Sequence, residues 1–370
     1  MSKKTALLTM LGNHNFDTRF SNLKISLRKK GIEVTLIGFD WLGGECYTKP
    51  DDSVYKLSRV LGPLSFYGKS YLILFIKLFF SKFDYYFVGD VFLLPLISII
   101  ARLKKGMLFY DARELFGHLA SLQGRSKQQQ FWATVEKRFI GFATGVIVTG
   151  KMDGEYLSDL YQLRTTILLR NLPMLKEIDS SIDLREKYSL PKESLLLIQQ
   201  GVVQIGRGFE PVFKAMKQLP QTYMIVLGSG ELIEEYKTLS LSMGLEDRVV
   251  WAGRLPQNEL LQYTAGGDIG LAVIENISKS YYYALPNKMF EYIMTGVPVI
   301  ASSFPQMKQI IDEYRVGYCV EPENIESIVE AIKQLEKELR GSKVQMQKNL
   351  KLASEQLHWE NDFKNLEQYL

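Results

Sequence analysis

Short apolar runs, each followed by a loop and then by apolar residues at helical spacing, recur through the whole chain. Residues 5–10 read as a strand, 12–18 as a loop, 19–30 as a helix closed by Gly31, and 33–37 as a second strand. Further strands are predicted at 54–58, 84–88, 106–110 and 145–149, with helices between most of them. The alternation loosens over 170–183, RNLPMLKEIDSSID, where Pro, Asn and Ser gather. It then restarts, with strands predicted near 195–199, 223–227, 248–252, 268–273, 297–301 and 316–320. Strand-helix alternation of this kind predicts an α/β fold with a parallel, doubly wound sheet, and here it occurs twice. The expected organisation is two doubly wound domains facing a cleft, over residues 1–170 and 171–355, with a last helix at about 356–370 packing back on the first. Ligands of such sheets bind beyond the carboxyl ends of the strands.

Length and composition agree with that division. A chain of 370 residues exceeds what one core usually holds, and 46% hydrophobic with 23% charged residues is ordinary for globular domains. Cys46 and Cys319 lie far apart, so neither a disulfide framework nor a cysteine zinc site is expected, and a reducing cytosol fits. The apolar run near the N-terminus is too short for a signal peptide and reads as the first strand. Charge is uneven. Residues 1–170 carry 24 Lys and Arg against 14 Asp and Glu (24 − 14 = +10), and the remainder 21 against 27 (21 − 27 = −6). Such asymmetry marks the first half as the one that meets an anionic surface.

Two hydrophobic stretches, 71–80 and 91–103, fall well short of the ~20 residues that span a bilayer. Both read as buried helices of an α/β domain. For 64–83 a second reading stands beside it: Lys69, Lys77 and Lys82 among many aromatic residues make a basic helix that lies on an anionic membrane.

The most informative stretch is 267–302, read as strand, aromatic loop, helix, turn and strand. Pro286 stands where the helix opens and Thr295-Gly296 closes it. Lys288 in the first turn opposes the helix macrodipole, a conflict that an anion at that end would relieve. Glu291, three residues on, shares its face. The arrangement recurs upstream, where a strand at 195–199 leads through the loop 201–208 into a helix at 209–219, with Arg207 at its entrance. Two basic residues at two helix starts point to a diphosphate held between N-termini. The three histidines, His14, His118 and His358, have no metal-ligand spacing, and no nucleophile motif is present. Gly228-Ser229-Gly230 lacks the third glycine of a nicotinamide fingerprint, Ile233 standing in its place.

These motifs resemble the family 4 retaining glycosyltransferases of GT-B fold, and the resemblance runs over nearly the whole chain. It implies two Rossmann-like domains with the sugar nucleotide held mainly by the second. ALPNKMFEYIMTGVPVIAS is similar to that family's donor helix and following strand, with Glu291 at the ribose-binding glutamate of E-x7-E and Pro286 and Asn287 at the helix entrance. Tyr283 replaces the first glutamate. In the loop 201–208 Val202 stands where the family has arginine, and Arg207 where it has lysine, so Lys288 is the expected second diphosphate cation. Gly253 and Arg254 resemble the segment lying against the base. In the first domain the segment 110–116 resembles an Asp-Ser-His-Glu segment, with Asp111 and Glu114 expected to face the cleft and Arg113 in place of histidine. Gly12 is placed for close backbone approach to the donor. The resemblance implies metal-independent transfer of a hexose, with retention, from a nucleotide diphosphate sugar, UDP-sugar favoured, and no further cofactor. The implied acceptor is a glycan or a lipid-linked glycan of a bacterial-type surface polysaccharide or glycoconjugate, met in the cytoplasm or at the inner face of the membrane. A nucleotide-sugar epimerase and a catalytically silent sugar-nucleotide-binding protein are the alternatives. No nucleic acid is expected as a partner, because stacking motifs are poor.

Overall fold

The computed structural model describes residues 3–116, 125–176, 178, 180–341 and 344–370. It divides into two compact units, Met1–Arg170 with Asp362–Leu370, and Asn171–Asn361.

The first unit is built on β1 (Thr5–Thr9), α1 (Thr18–Lys29), β2 (Glu33–Asp40), β3 (Tyr47–Thr48), β4 (Asp52–Lys56), α2 (Gly62–Phe79), β5 (Tyr85–Val88), α3 (Leu94–Lys104), β6 (Met107–Ala112), α4 (Ser126–Phe139), β7 (Gly145–Val148), α5 (Lys151–Tyr161) and β8 (Thr166–Leu168). Among the described residues the sheet has the order β3-β4-β2-β1-β5-β6-β7-β8, parallel except for the β3–β4 pair. β1, β5, β6 and β7 are buried almost throughout, which is why they read as unbroken apolar runs: helices cover both faces. The edge strands β3 and β8 have two and three residues, too short to leave a pattern. β4 begins two residues before the predicted 54–58 because Asp52 already pairs with Leu36. Asp17 caps α1 by accepting from the Phe20 amide at 2.7 Å. The chain's end belongs to this unit: Asp362 accepts from the backbone and guanidinium of Arg170 at 2.6–2.9 Å, and Asn365 donates to the Leu168 carbonyl at 3.0 Å.

The second unit contains α6 (Leu184–Lys187), β9 (Leu195–Gln200), α7 (Phe209–Lys217), β10 (Thr222–Leu227), α8 (Ile233–Ser242), β11 (Val249–Gly253), α9 (Gln257–Ala265), β12 (Ile269–Ala272), α10 (Lys279–Tyr282), α11 (Asn287–Met294), β13 (Val299–Ser302), α12 (Pro305–Tyr314), β14 (Gly317–Val320), α13 (Ile325–Arg340) and α14 (Val344–Gln356). Its sheet, among the described residues, is wholly parallel in the order β11-β10-β9-β12-β13-β14. The chain order reverses between β9 and β12, so the crevice beside the carboxyl end of β9 is where such a sheet takes a ligand. Gly228 and Gly230 serve the scaffold. A Cβ there would sit 1.8 Å from the Gly201 carbonyl oxygen and 2.0 Å from that of Val203, so only glycine lets the two loops after β9 and β10 run against each other.

α2 is one continuous helix where two readings were open. Phe66, Ser70, Leu74 and Leu78 form a buried stripe, as a core helix requires, while its opposite face is exposed. Among the described residues no helix is long and apolar enough to cross a membrane.

Candidate active site

At the end of β9 an apolar strand turns polar. Gln199 donates from Nε2 to the Arg207 carbonyl at 3.0 Å, which closes the loop 201–208 on the strand that precedes it. Gly201, Gly206 and Gly208 have φ of +107°, +76° and +74°, values that disfavour any other residue. Glu275, beyond β12, grips the same loop twice: its amide donates to the Gly206 carbonyl at 3.0 Å and its carboxylate accepts from the Gly208 amide at 3.2 Å.

That loop aims Arg207. The guanidinium lies over the Tyr281 ring, 4.8 Å from its centroid. With the Gln204 amide oxygen turned toward it, Arg207 donates to that oxygen from Nη2 at 3.0 Å and from Nε at 3.3 Å, and the Tyr281 hydroxyl lies 2.8 Å from the same atom. Tyr281 is itself placed by α10, whose first turn is capped by Ser278 accepting from the Tyr281 amide at 3.2 Å.

Lys288 enters from α11. Pro286 is the N-cap and offers no side-chain acceptor, the first turn holds no acidic residue, and among the described residues only the Met289 amide of its first ones is taken, by the Pro286 carbonyl at 3.1 Å. Lys288 is 7% exposed, and among the described residues no hydrogen bond or ion pair reaches its ammonium. Burial, and then the charge of Arg207, push its pKa well below the ordinary lysine value. A cation taken from water, set beside a second cation and at the positive end of a helix, is an unfavourable arrangement for the empty protein. An anion at that point reverses all three terms.

Glu291, one turn further along α11, is oriented from the other side. Its carboxylate accepts from Gln200 Nε2, and Gln200 Oε1 accepts from the Thr264 hydroxyl at 2.9 Å. The Gln200 amide donates to the Tyr292 hydroxyl at 3.1 Å, and that hydroxyl donates to the Ile198 carbonyl at 3.0 Å. Tyr292 is fully buried, which raises its pKa and keeps it a hydroxyl donor. Gln200 thus holds the Glu291 carboxylate by its side chain while Tyr292 ties the same stretch of β9 to α11.

The structure therefore brings Arg207, Lys288, Pro286, Asn287 and Glu291 to one end of the second sheet. Gly253 and Arg254 stand at the carboxyl end of β11, the edge strand, separated from β9 by β10. Gly253 has φ +77°, and Arg254 is exposed. Tyr283 is anchored by its carbonyl, which accepts from Gln306 Nε2. Gln200, Gln204 and Glu275 were not singled out from the sequence, and the visible signal was polarity where a buried strand ends: LLLIQQ and AVIE.

In the first unit the expectation for Asp111 is corrected. It does not face an open site; it is 1% exposed, and both oxygens are taken. Arg19, itself 2% exposed, donates from Nε at 2.9 and 3.0 Å and from Nη2 at 2.7 Å, and Arg113 Nε donates at 2.9 Å. Arg113 continues to Asp17 through Nη1 and covers the Phe20 ring at 4.5 Å. Asp111 thus holds α1 and the β6 terminus together. Glu114 is exposed just beyond. Gly12 accepts from the Phe39 amide at 2.9 Å, and a Cβ on it would meet only the end of the Met10 side chain, at 2.9 Å. His358 pairs with Glu360 at 3.0 Å; His118 lies outside the described residues.

Residues 180–353 match the family model described as glycosyl transferases group 1. Over its whole length the chain is similar to sucrose-phosphate synthase of Thermosynechococcus elongatus, with TM-score 0.76, 19% identity and coverage of 100% of this chain and 98% of that one. Anabaena HepE, solved in complex with UDP-glucose, is similar with TM-score 0.73 and 14% identity, covering 98% of this chain and 99% of that one. The fold is GT-B. Among curated sequences, the lipopolysaccharide core biosynthesis glycosyltransferases LpsE and LpsD of Rhizobium meliloti are 24% and 29% identical, over 41% and 32% of this chain. The matched stretches span only 42% and 32% of those relatives' own lengths. The family-model match, residues 180–353, falls on the second unit, which carries Arg207, Lys288 and Glu291.

Proposed function

We propose that the protein is a retaining, metal-independent glycosyltransferase. It moves a hexose from a nucleotide diphosphate sugar, with UDP-sugar favoured, to a glycan or lipid-linked acceptor of surface polysaccharide or glycoconjugate synthesis. The observation that carries this reading is Lys288: a buried ammonium, without a carboxylate partner among the described residues, beside Arg207 at an uncapped helix start. A diphosphate supplies the missing charge, and Glu291 at hydrogen-bonding reach of the same helix face accepts ribose hydroxyls. The similarity to HepE, solved with UDP-glucose, and to lipopolysaccharide core glycosyltransferases supports the substrate class.

In the proposed reaction the bond between the anomeric carbon and the diphosphate oxygen breaks with both electrons leaving on oxygen. The acceptor oxygen forms the new bond from the same face, and its proton passes to the departing diphosphate. Negative charge grows on the leaving group as positive charge grows on the sugar, and Arg207, Lys288 and the α11 amides stabilise the former where it develops. These cations fill the role a divalent ion would otherwise take, so turnover should persist in a chelator.

The test is thermal shift of the purified chain against a panel of nucleotide sugars, followed by transfer assays with a chelator present. A binder at 100 times its dissociation constant should add roughly 2.7 kcal/mol. Failure of every nucleotide sugar to shift the melt overturns the donor assignment. Conversion of free nucleotide sugar without acceptor replaces transfer by epimerisation. Binding without turnover leaves a silent binding protein.

Glu291→Gln should weaken nucleotide binding by about 1.5–3 kcal/mol, the range for one hydrogen bond to a charged group. Calorimetric titration measures it, and the melting temperature of the free variant should stay near that of the parent. Unchanged affinity removes Glu291 from the site.

A further inference from the structure

The outward face of α2 has no apparent use in the first unit's own packing. With 3.6 residues per turn, Leu72, Phe75, Ile76 and Phe79 fall on one arc opposite the buried stripe, with Leu64 at its edge. All five are exposed, Leu64 at 92%, and Phe80 at the helix C-cap is 90% exposed. Leu103 of α3 adds a further exposed leucine. α3 flanks the end of this arc, because Lys104 Nζ donates to the Phe79 carbonyl at 2.6 Å. A contiguous apolar face of this size is rare on a surface that meets only water.

The charge around it has one sign. Between residues 53 and 110 the chain carries Lys56, Arg59, Lys69, Lys77, Lys82, Arg102, Lys104 and Lys105 against Asp84 and Asp90. Both acids are engaged by backbone amides, Asp84 by Thr5 at 2.8 Å and Asp90 by Leu93 at 2.9 Å. Lys69 borders the apolar arc, exposed Lys82 follows Phe80 just beyond the end of α2, and Lys105 follows Lys104 at the end of α3. Lys77 does not belong to this set. Though exposed, it turns toward β4, with its ammonium 5.8 Å from the Tyr55 ring centroid.

We infer that this face docks on an anionic lipid bilayer, the apolar arc entering the interface while Lys69, Lys82, Lys104 and Lys105 meet the headgroups. An apolar helix face with a cationic border is the pattern of an interfacial helix. A second copy of this chain is a poorer occupant, because a two-fold contact through the arc would set the same cations against each other. The inference rests on the first unit's surface alone, so its failure leaves the donor site of the second unit untouched.

The test uses the full chain and vesicles of phosphatidylcholine, with and without phosphatidylglycerol, in co-sedimentation at low and high salt. The protein is expected to sediment with the anionic vesicles at low salt, to ignore the neutral ones, and to loosen as salt screens the cations. Joint replacement Lys69→Gln, Lys82→Gln and Lys105→Gln should weaken binding on the order of a hundredfold, and Lys77→Gln should leave it unchanged. Joint replacement Leu72→Ser, Phe75→Ser and Phe79→Ser should weaken it as strongly. All these side chains are exposed, so melting temperatures should hold and serve as the folding control. Wild-type protein that stays in the supernatant with anionic vesicles at low salt overturns the inference, as does undiminished binding by both triple variants. A concentration-dependent dimer that the serine variant abolishes, without vesicle binding by the parent, assigns the face to a second copy and likewise overturns it.

Discussion

Asp111→Asn is expected to destabilise the protein by about 3–5 kcal/mol, because it removes one partner of a buried ion pair and leaves the other charged. Arg19 is 2% exposed and has two of its nitrogens on Asp111, with Nη1 on the Leu169 carbonyl at 2.7 Å. An asparagine keeps the shape and one acceptor but not the charge, and Arg113 loses the same counter-ion. At this size of unit the melting transition should fall by roughly 10 °C. The pH dependence supplies the sign. Burial alone would raise the Asp111 pKa, but the charges of Arg19 and Arg113 outweigh it and hold it below 3.8. A folded-state pKa below the unfolded one means that the stabilisation is present above the ordinary aspartate value and is lost as pH falls from there through the depressed one. The parent should therefore lose stability on acidification by an increment that the asparagine variant lacks. Calorimetry of both proteins across that range decides the matter; a variant that melts with the parent returns Asp111 to the candidates for chemistry.

Why the sequence misplaces Asp111 is itself physical. A polar residue ending an apolar strand reads as facing a ligand, and at Gln200 and Glu275 such residues meet Glu291 and the loop 201–208. At Asp111 the same signal comes from a partner 92 residues earlier in the chain, and no local spacing reveals which arginine it meets. The strand-helix alternation was legible because central parallel strands are buried on both faces and must be apolar throughout. Lys288 was legible because a cation in a first helical turn contradicts the dipole, and a local contradiction is visible in a sequence. Its burial was not, since that depends on packing around the loop 201–208. Gln204 and Glu275 escaped for the same reason, their partners Arg207 and Gly208 being fixed only once the loop is closed. The double nature of α2 stayed open because an apolar residue carries no mark of which side the sheet lies on; Ser70, a small polar residue, sits on the buried face while Phe75 and Phe79 lie outside.

Lys288→Met should separate function from stability. Methionine retains much of the lysine stem and removes the buried ammonium, so the free protein is expected to melt higher, the desolvation cost and the repulsion from Arg207 both disappearing. Turnover is expected to fall about 10²–10³-fold, the range for loss of one donor to a developing anion. Arg207→Ala should cost a similar factor, and the double variant less than the product of the two, because in the proposed function both cations serve one diphosphate. The lysine's pKa links this to a proton. In the free protein Lys288 titrates well below its ordinary 10.5, and a bound diphosphate draws that pKa back up. Between the depressed and the restored values, binding must take up a proton, so affinity for nucleoside diphosphate should decline as pH rises through that window. Titration calorimetry in buffers of different ionisation enthalpy reads the uptake directly, and Lys288→Met should abolish it while Glu291→Gln preserves it. A Lys288→Met protein that melts lower than the parent and still turns over at the parent's rate would make the lysine a packing residue and remove the diphosphate from this helix.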